Sequence, residues 1–279
     1  MERELFELLK RLEKGNSISK DNLSKLKSLG YADDNGITKE GLLALEPYRV
    51  KRAIIVAAGF GSRMVPITLT TPKPLVKVHG VRFIDTLINK LLKNGIKDIY
   101  VVRGYLKDKF DELLKEYPSI KFIDNDLYDK ENNISSVIKA IDLVENTYLC
   151  EADFLVTGDD VIERYQYEIN YLGTKVDETD DWCFVVDENN RAFNYRKGGK
   201  NCVQAFGISY WNKSGGQLLQ KCLKEMYSNI KNRQEFWEMC IFDLYKEKFD
   251  IKCRYVSKDS IVEIDSYKEL AEIDNSYHI

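Results

Sequence analysis

Apolar positions in the first 48 residues recur at helical spacing. Leu5, Leu8, Leu9 and Leu12 fall on one face until Gly15-Asn16 interrupts the pattern. A second helix is expected from Ser19, with Leu23 and Leu26 three apart, ending at Leu29-Gly30. The Asp/Asn/Gly-rich stretch from Tyr31 to Ile37 predicts a turn with a short apolar flank, and Thr38-Lys39-Glu40-Gly41 opens a third helix through Leu45. From Lys51 the period changes. Ala53–Ala58 is a short, fully apolar strand; Phe83–Asn94 is helical with Gly95 as its stop; Ile99–Val102 is a strand, Lys107–Glu116 a helix and Ile120–Ile123 a strand. A helix capped by Asn133 runs through Leu143, and Tyr148–Ala152 is the next strand.

Strands alternating with helices predict an α/β fold with a doubly wound, mostly parallel sheet, whose ligands bind at the C-terminal ends of the strands. The active loops are therefore expected after Ala58, Val102, Ile123 and Ala152. Beyond residue 182 the pattern suggests hairpins, with Lys197-Gly198-Gly199-Lys200 as one tip. Helices near 215–230 and 234–247 and strands at Ile251–Val256 and Ile261–Ile264 follow. The expected organisation is a small module over residues 1–48 and a catalytic domain over 51–279. Helix, helix, small hairpin, helix in the first module resembles a winged helix-turn-helix, for which DNA binding is the obvious role. Residues 1–50 carry nine basic and nine acidic side chains, however, and that zero balance favours protein contact or dimerisation over nucleic acid.

Composition narrows the chemistry. With 44% apolar and 31% charged residues, a chain of 279 can bury a sizeable core. The longest apolar run, Ala53–Ala58, is far too short to span a bilayer. The N-terminus is too charged for a secretory signal, so a cytoplasmic protein is expected. The six cysteines show no C-x-x-C spacing and read as free buried thiols. Only His79 and His278 are present, which excludes a multi-histidine zinc site; a metal here would take oxygen ligands, as magnesium does.

The loop after the first apolar strand concentrates the candidate chemistry. Ala57-Ala58-Gly59-Phe60-Gly61-Ser62-Arg63-Met64 has two glycines that let backbone N–H groups approach phosphate oxygens, and Thr71-Pro72-Lys73-Pro74 adds a Pro-braced lysine. Met64 at the third glycine position excludes a dinucleotide fingerprint, and no Gly-Lys-Ser/Thr follows to make a Walker A loop. Two cations converging on one loop suit a polyphosphate.

A-A-G-x-G-S-R followed by T-P-K-P resembles the signature of the nucleotidyltransferases that join an NTP to a phosphorylated small molecule, over about residues 52–275. Within that superfamily the chain is most similar to bacterial CTP:phosphocholine cytidylyltransferases, through Gly104-Tyr105-Leu106-Lys107, Asn125-Asp126, Asn132-Asn133, Glu151-Ala152-Asp153 and Glu263-Ile264-Asp265-Ser266. The resemblance implies that Ala57, Ala58, Gly59, Gly61 and Ser62 hold the nucleotide, with Tyr105, Asn125 and Asn133 nearby. It also implies that Arg63 and Lys73 neutralise the triphosphate, and that Asp153 and Asp265, with Glu263 as a third ligand, bind Mg²⁺. Gly158-Asp159-Asp160 is a rival metal motif. Trp182, Phe236, Trp237 and Glu238 would form a choline cage of aromatic faces and a carboxylate, although Phe236 and Glu238 stand where Tyr and Asp are expected. Trp211 reads as core.

The implied reaction is attack of phosphocholine on the α-phosphorus of CTP, giving CDP-choline and pyrophosphate. A homo-oligomer is possible and no membrane partner is expected. Two alternatives stay open: a sugar-1-phosphate nucleotidylyltransferase, for which 182–211 offers few neutral hydrogen-bonding groups, and a nucleotide-sensing DNA-binding regulator.

Overall fold

The computed structural model describes residues 1–278, which fall into two compact units. The smaller comprises residues 1–50 together with Arg164–Tyr167. It holds α1 (Arg3–Glu13), α2 (Lys20–Ser28), the two-stranded ladder of β1 (Ala32–Asp33) and β2 (Gly36–Ile37), and α3 (Lys39–Leu45). Ser19 and Thr38 start α2 and α3 by accepting the backbone N–H groups of Asn22 and Gly41. The helical stripe seen in the sequence becomes the core of this unit: Phe6, Leu8, Leu9, Leu26 and Leu45 are buried with Ala32, and Tyr165 joins them.

The larger unit comprises residues 51–163 and 168–279. Its seven-stranded sheet runs, edge to edge, β12 (Lys252–Tyr255), β10 (Asn170–Val186), β11 (Ala192–Trp211), β8 (Thr147–Glu151), β3 (Arg52–Ala57), β6 (Asp98–Arg103) and β7 (Lys121–Asp124). Four neighbouring pairs are parallel; β10–β11 and β11–β8 are antiparallel. After Arg52, strand β3 is apolar, in keeping with its central position between β6 and β8. The crossovers α4 (Phe83–Lys93) and α5 (Ile134–Ala140), with the 3₁₀ stretch Lys107–Lys115, return the chain so that the ends of β3, β6, β7 and β8 share one sheet edge. The expected doubly wound, mostly parallel sheet is the observed one.

Two minor ladders sit outside the main sheet: β4 (Lys77–Val78) with β5 (Val81–Arg82), and β9 (Phe154–Val156) with β13 (Ile261–Glu263). Helices α6 (Lys213–Ser228) and α7 (Tyr267–Ile273) complete the unit. The expected helix over 234–247 is instead a loop leading into a short π-helical stretch, Cys240–Leu244.

The structure corrects the reading of the 182–211 hairpin. Gly198 and Gly199 are not a tip; Gly199 lies opposite Thr179 within the β10–β11 pairing, and the chain reverses at residues 187–191. That turn is built by Asp187, whose carboxylate accepts the N–H groups of Asn189 and Arg191, and by Asn190 at φ 61°. Register shifts along the pair obscure strand periodicity, which is why the glycine pair was the stronger signal in the sequence. All six cysteines are buried and free. None of the described helices is long and apolar enough to cross a membrane.

Gly216 in α6 shows how tightly the helical layer packs: a Cβ there would lie 1.8 Å from the Val144 carbonyl oxygen. Helix propensity alone would favour alanine by about 1 kcal/mol, but that contact is with backbone and cannot rotate away. Gly216→Ala is therefore expected to lower the melting temperature by at least about 4 °C in a thermal unfolding scan; an unchanged or higher value would mean that α6 shifts freely.

Candidate active site

Strand β3 delivers the glycine-rich loop to the sheet's C-terminal edge. Gly61 has φ 68°, a left-handed conformation that costs glycine nothing, and a Cβ there would lie 3.0 Å from Cβ of Lys73. Thr68 ties the loop by donating its hydroxyl to the Gly61 carbonyl at 3.0 Å. Thr71-Pro72 then leads into a 3₁₀ turn, Lys73–Leu75, that buries the Lys73 side chain.

Lys73 points into a group of carboxylates. Its Nζ is 2.8 Å from Asp265 Oδ1 and 3.5 Å from Asp153 Oδ2, and Arg63 Nη1 is 2.8 Å from Asp265 Oδ2. The β9–β13 ladder explains how residues so far apart in sequence meet: Glu263 lies opposite Phe154, next to Asp153, and Asp265 follows two residues later. Asp153, Glu263 and Asp265 each offer an oxygen within 4.8 Å of the others. Such an all-oxygen set suits a hard divalent cation.

The electrostatics follow from this crowding. Burial pushes the Glu263 carboxyl up, and Asp153, Asp265 and Asp181 push it further, to about 8, against the pull of Lys73. Burial alone would lower the Lys73 ammonium, yet Asp153, Asp265 and Glu263 outweigh it and hold its pKa above the ordinary lysine value. The rival motif lies elsewhere. Asp159 is exposed, paired with Lys90 at 2.6 Å and Lys93 at 2.9 Å, which lower it to about 2. Asp160 accepts from Ser257 N–H and the Ser260 hydroxyl.

A cleft of about 290 Å³ opens beside the cluster. Ala57, Ala58, Gly59, Gly61, Arg63, Lys73, Asp153 and Asp265 all line it, as do Asn133 and Glu151. Three residues expected at the nucleotide stand back from this wall. Ser62 begins the 3₁₀ turn beyond the loop. Asn125 is buried and spends its amide on Ser135 and Ser136, at 3.0 and 2.9 Å, so these two serines, not Asn125, face the cleft. Tyr105 packs edge-on against Phe60 at 4.6 Å, behind Tyr128, which does line the cleft. No local pattern marks Tyr128, Ser135 or Ser136 in the sequence, because their loop and helix approach the cleft only through the crossover. Asn133 makes no N-cap bond to α5; its side chain turns instead toward residues 237 and 238.

The expected aromatic cage is partly rearranged. Trp237 is a core residue, buried against Tyr171 and Trp211, and cannot present a face to a ligand. Trp211 is likewise core. Trp182 stacks on Tyr195 at 4.9 Å and meets Phe236 edge-on at 5.1 Å. Tyr195 of β11 is stacked between Trp182 and Phe242, at 4.9 Å from each, so its faces are covered too. Glu238 is buried, accepting the Tyr171 hydroxyl at 3.2 Å, and the Asn133 amide lies 3.4 Å from both Glu238 and Glu151. Gly207, at φ 57°, makes room for Glu151: a Cβ there would be 2.4 Å from its carboxylate.

With this geometry in hand, comparison with known proteins is direct. The family model described as nucleotidyl transferase matches residues 52–195. The chain belongs to the nucleotidyl transferase family. It is 36% identical over 228 residues to a 2-aminoethylphosphonate cytidylyltransferase of Lancefieldella rimae, covering 81% of this chain and 92% of the relative. It is 30% identical over 225 residues to a choline-phosphate cytidylyltransferase of Streptococcus pneumoniae, covering 80% and 97%. Among solved structures, a CTP:phosphocholine cytidylyltransferase from Streptococcus pneumoniae superposes with a TM-score of 0.75 at 28% identity, over 82% of this chain and 100% of that one. The family's Rossmann-like sheet is therefore the sheet described above.

Burial pushes Glu238 up to about 7, although its hydrogen bonds pull the other way. Between 4.5, its ordinary value, and 7, the folded protein of this nucleotidyl transferase holds a proton that the unfolded chain releases. That contribution to stability is complete below pH 4.5 and is lost as pH rises through 7. Glu238→Gln keeps a neutral amide at all pH values. Its melting temperature relative to the parent should therefore rise from pH 5 to pH 8; a constant difference would show that Glu238 titrates normally.

Proposed function

We propose that the protein is a CTP-dependent cytidylyltransferase whose acceptor is a small phosphate or phosphonate bearing a cationic amine head. The observation that carries this reading is one cleft in which a glycine-rich loop, two cations and three carboxylates converge. The two cytidylyltransferases similar to it over four-fifths of the chain support cytidylyl transfer in particular.

An acceptor oxygen attacks the α-phosphorus of CTP, and the bond from that phosphorus to the oxygen bridging to the β-phosphate breaks, releasing pyrophosphate. A phosphate monoester is mostly dianionic at neutral pH, so no side-chain base is needed. Arg63 and Lys73 stabilise charge gathering on the α- and β-phosphates, and the backbone of Ala58–Gly61 positions the nucleotide. The donor set fits magnesium: Asp153, Glu263 and Asp265 are oxygen ligands whose mutual repulsion, visible in the raised Glu263, a divalent cation would relieve. Bound there, Mg²⁺ would supply further charge neutralisation on the phosphates.

On the acceptor side, Trp182 and Phe236, both half-buried and edge-on to each other at 5.1 Å, offer aromatic surface. That surface alone would suit the quaternary ammonium of phosphocholine. Two carboxylates, Glu151 and Glu238, gathered around one amide favour a head that also donates hydrogen bonds, as a primary ammonium does with three N–H groups. We therefore place a 2-aminoethyl phosphonate or phosphate first and phosphocholine second.

Pyrophosphate release with each of the four NTPs, against 2-aminoethylphosphonate, phosphoethanolamine, phosphocholine and glucose 1-phosphate, tests the reading. Turnover is expected with CTP and the primary amines, more weakly with phosphocholine; turnover confined to the sugar phosphate would discard the cationic head. In the same assay Asp153→Asn should lower magnesium-dependent kcat at least about 100-fold, the scale of removing a charge-stabilising group, while Asp159→Asn leaves it unchanged. The reverse pattern would move the metal to the Asp159 turn.

A further inference from the structure

The paired asparagines Asn132 and Asn133 fasten the 233–238 segment to the cleft wall. Asn132 donates its backbone N–H to the Arg233 carbonyl at 3.0 Å and its side-chain amide to the Gln234 carbonyl at 3.0 Å. Its own Oδ1 accepts the N–H of Asn133 at 2.7 Å. Gln234 returns a bond to the Lys130 carbonyl at 2.8 Å. Asn133 Oδ1 then accepts the backbone N–H of Trp237 at 2.9 Å.

That last bond fixes the orientation of the Asn133 amide. With its oxygen committed to Trp237 N–H, its NH₂ group must face the other way, where Glu151 Oε1 and Glu238 Oε2 each lie 3.4 Å distant. The amide is thus the neutral donor standing between two carboxylates, one lining the cleft and one buried. Charge-assisted bonds of this kind offset repulsion that would otherwise drive the two apart.

We propose that Asn133 is a positioning residue for acceptor recognition: it sets the spacing of Glu151 and Glu238 and holds the Phe236–Glu238 segment in register with the cleft. This rests on the reading above that this segment faces the acceptor. It assigns Asn133 to the acceptor and not, as the family resemblance implied, to the nucleotide.

Two substitutions separate the two halves of the amide. Asn133→Ala removes both. Asn133→Asp keeps an acceptor for Trp237 N–H but replaces the donor with a third negative oxygen against Glu151 and Glu238. For 2-aminoethylphosphonate, KM should rise at least about tenfold in Asn133→Ala and further in Asn133→Asp, while KM for CTP stays within about twofold. Hydrogen exchange gives a readout that needs no acceptor: the Trp237 amide should exchange faster in the alanine variant and remain protected in the aspartate variant. Parallel rises in both KM values, or an aspartate variant that behaves like the parent, would overturn the proposal. Should the parent enzyme turn over none of the amine acceptors, the functional reading fails separately. Exchange then decides the fastening: a Trp237 amide indifferent to Asn133→Ala overturns it, and faster exchange sustains it.

Discussion

Lys73 is the charge on which the catalytic edge depends. Three carboxylates within 4.8 Å of one another repel in a half-buried setting, and burial first, then that repulsion, raises Glu263. A buried ammonium bonded to Asp265 and close to Asp153 compensates it from inside the protein. The local backbone is arranged to place that ammonium: the 3₁₀ turn buries the lysine, and glycine at position 61 leaves room for its stem. The β9–β13 ladder brings the acids to it. Arg63, mostly exposed, is held on the other Asp265 oxygen at 2.8 Å.

A second acidic locus is managed by different means. Among the described residues no lysine or arginine is bonded to Glu151 or Glu238; neutral donors from Asn133 and Tyr171 take that place, and burial raises both carboxyls. The two solutions have different chemical consequences. A site already holding its own cations suits anionic phosphates, whereas carboxylates compensated only by neutral donors retain an attraction for a cationic ligand.

How much of this was legible in the sequence depended on whether the signal was local. The glycine-rich loop and the Pro-braced Lys73 lie within 17 residues of each other, and their residue types report their geometry directly. The alternation from Lys51 to Ala152 made the four parallel strands β3, β6, β7 and β8 legible, since each is a short, mostly apolar run set between helical stretches. Asp265 meets Lys73 across 192 residues, and only the family resemblance joined them. The hairpin went astray because Gly198-Gly199 carries a strong turn signal, while the actual reversal at Asp187–Arg191 is made by side-chain bonds that no pattern of hydrophobicity encodes. Trp237 is core for a different reason: it lies in an irregular segment before the π-helical stretch, where no period of hydrophobicity says which side chain turns inward.

The division of labour between elements bears on how such a site can change its acceptor. The groups for the triphosphate come from one contiguous stretch, the loop and turn between Ala57 and Leu75, together with the β9–β13 ladder. The groups around the proposed amine come from other elements: Trp182 from β10, and Phe236 with Glu238 from the segment before the π-helical stretch. Asn133 and Glu151 are where the two sets meet in the cleft wall. Substitution within β10, β11 or the 236–238 segment can therefore alter the head group without moving Lys73 or its acids. Changes at Asn133 or Glu151 alter the spacing on which the acceptor's carboxylates depend. Phe236 and Glu238, standing where the family resemblance leads to Tyr and Asp, are departures of the first kind.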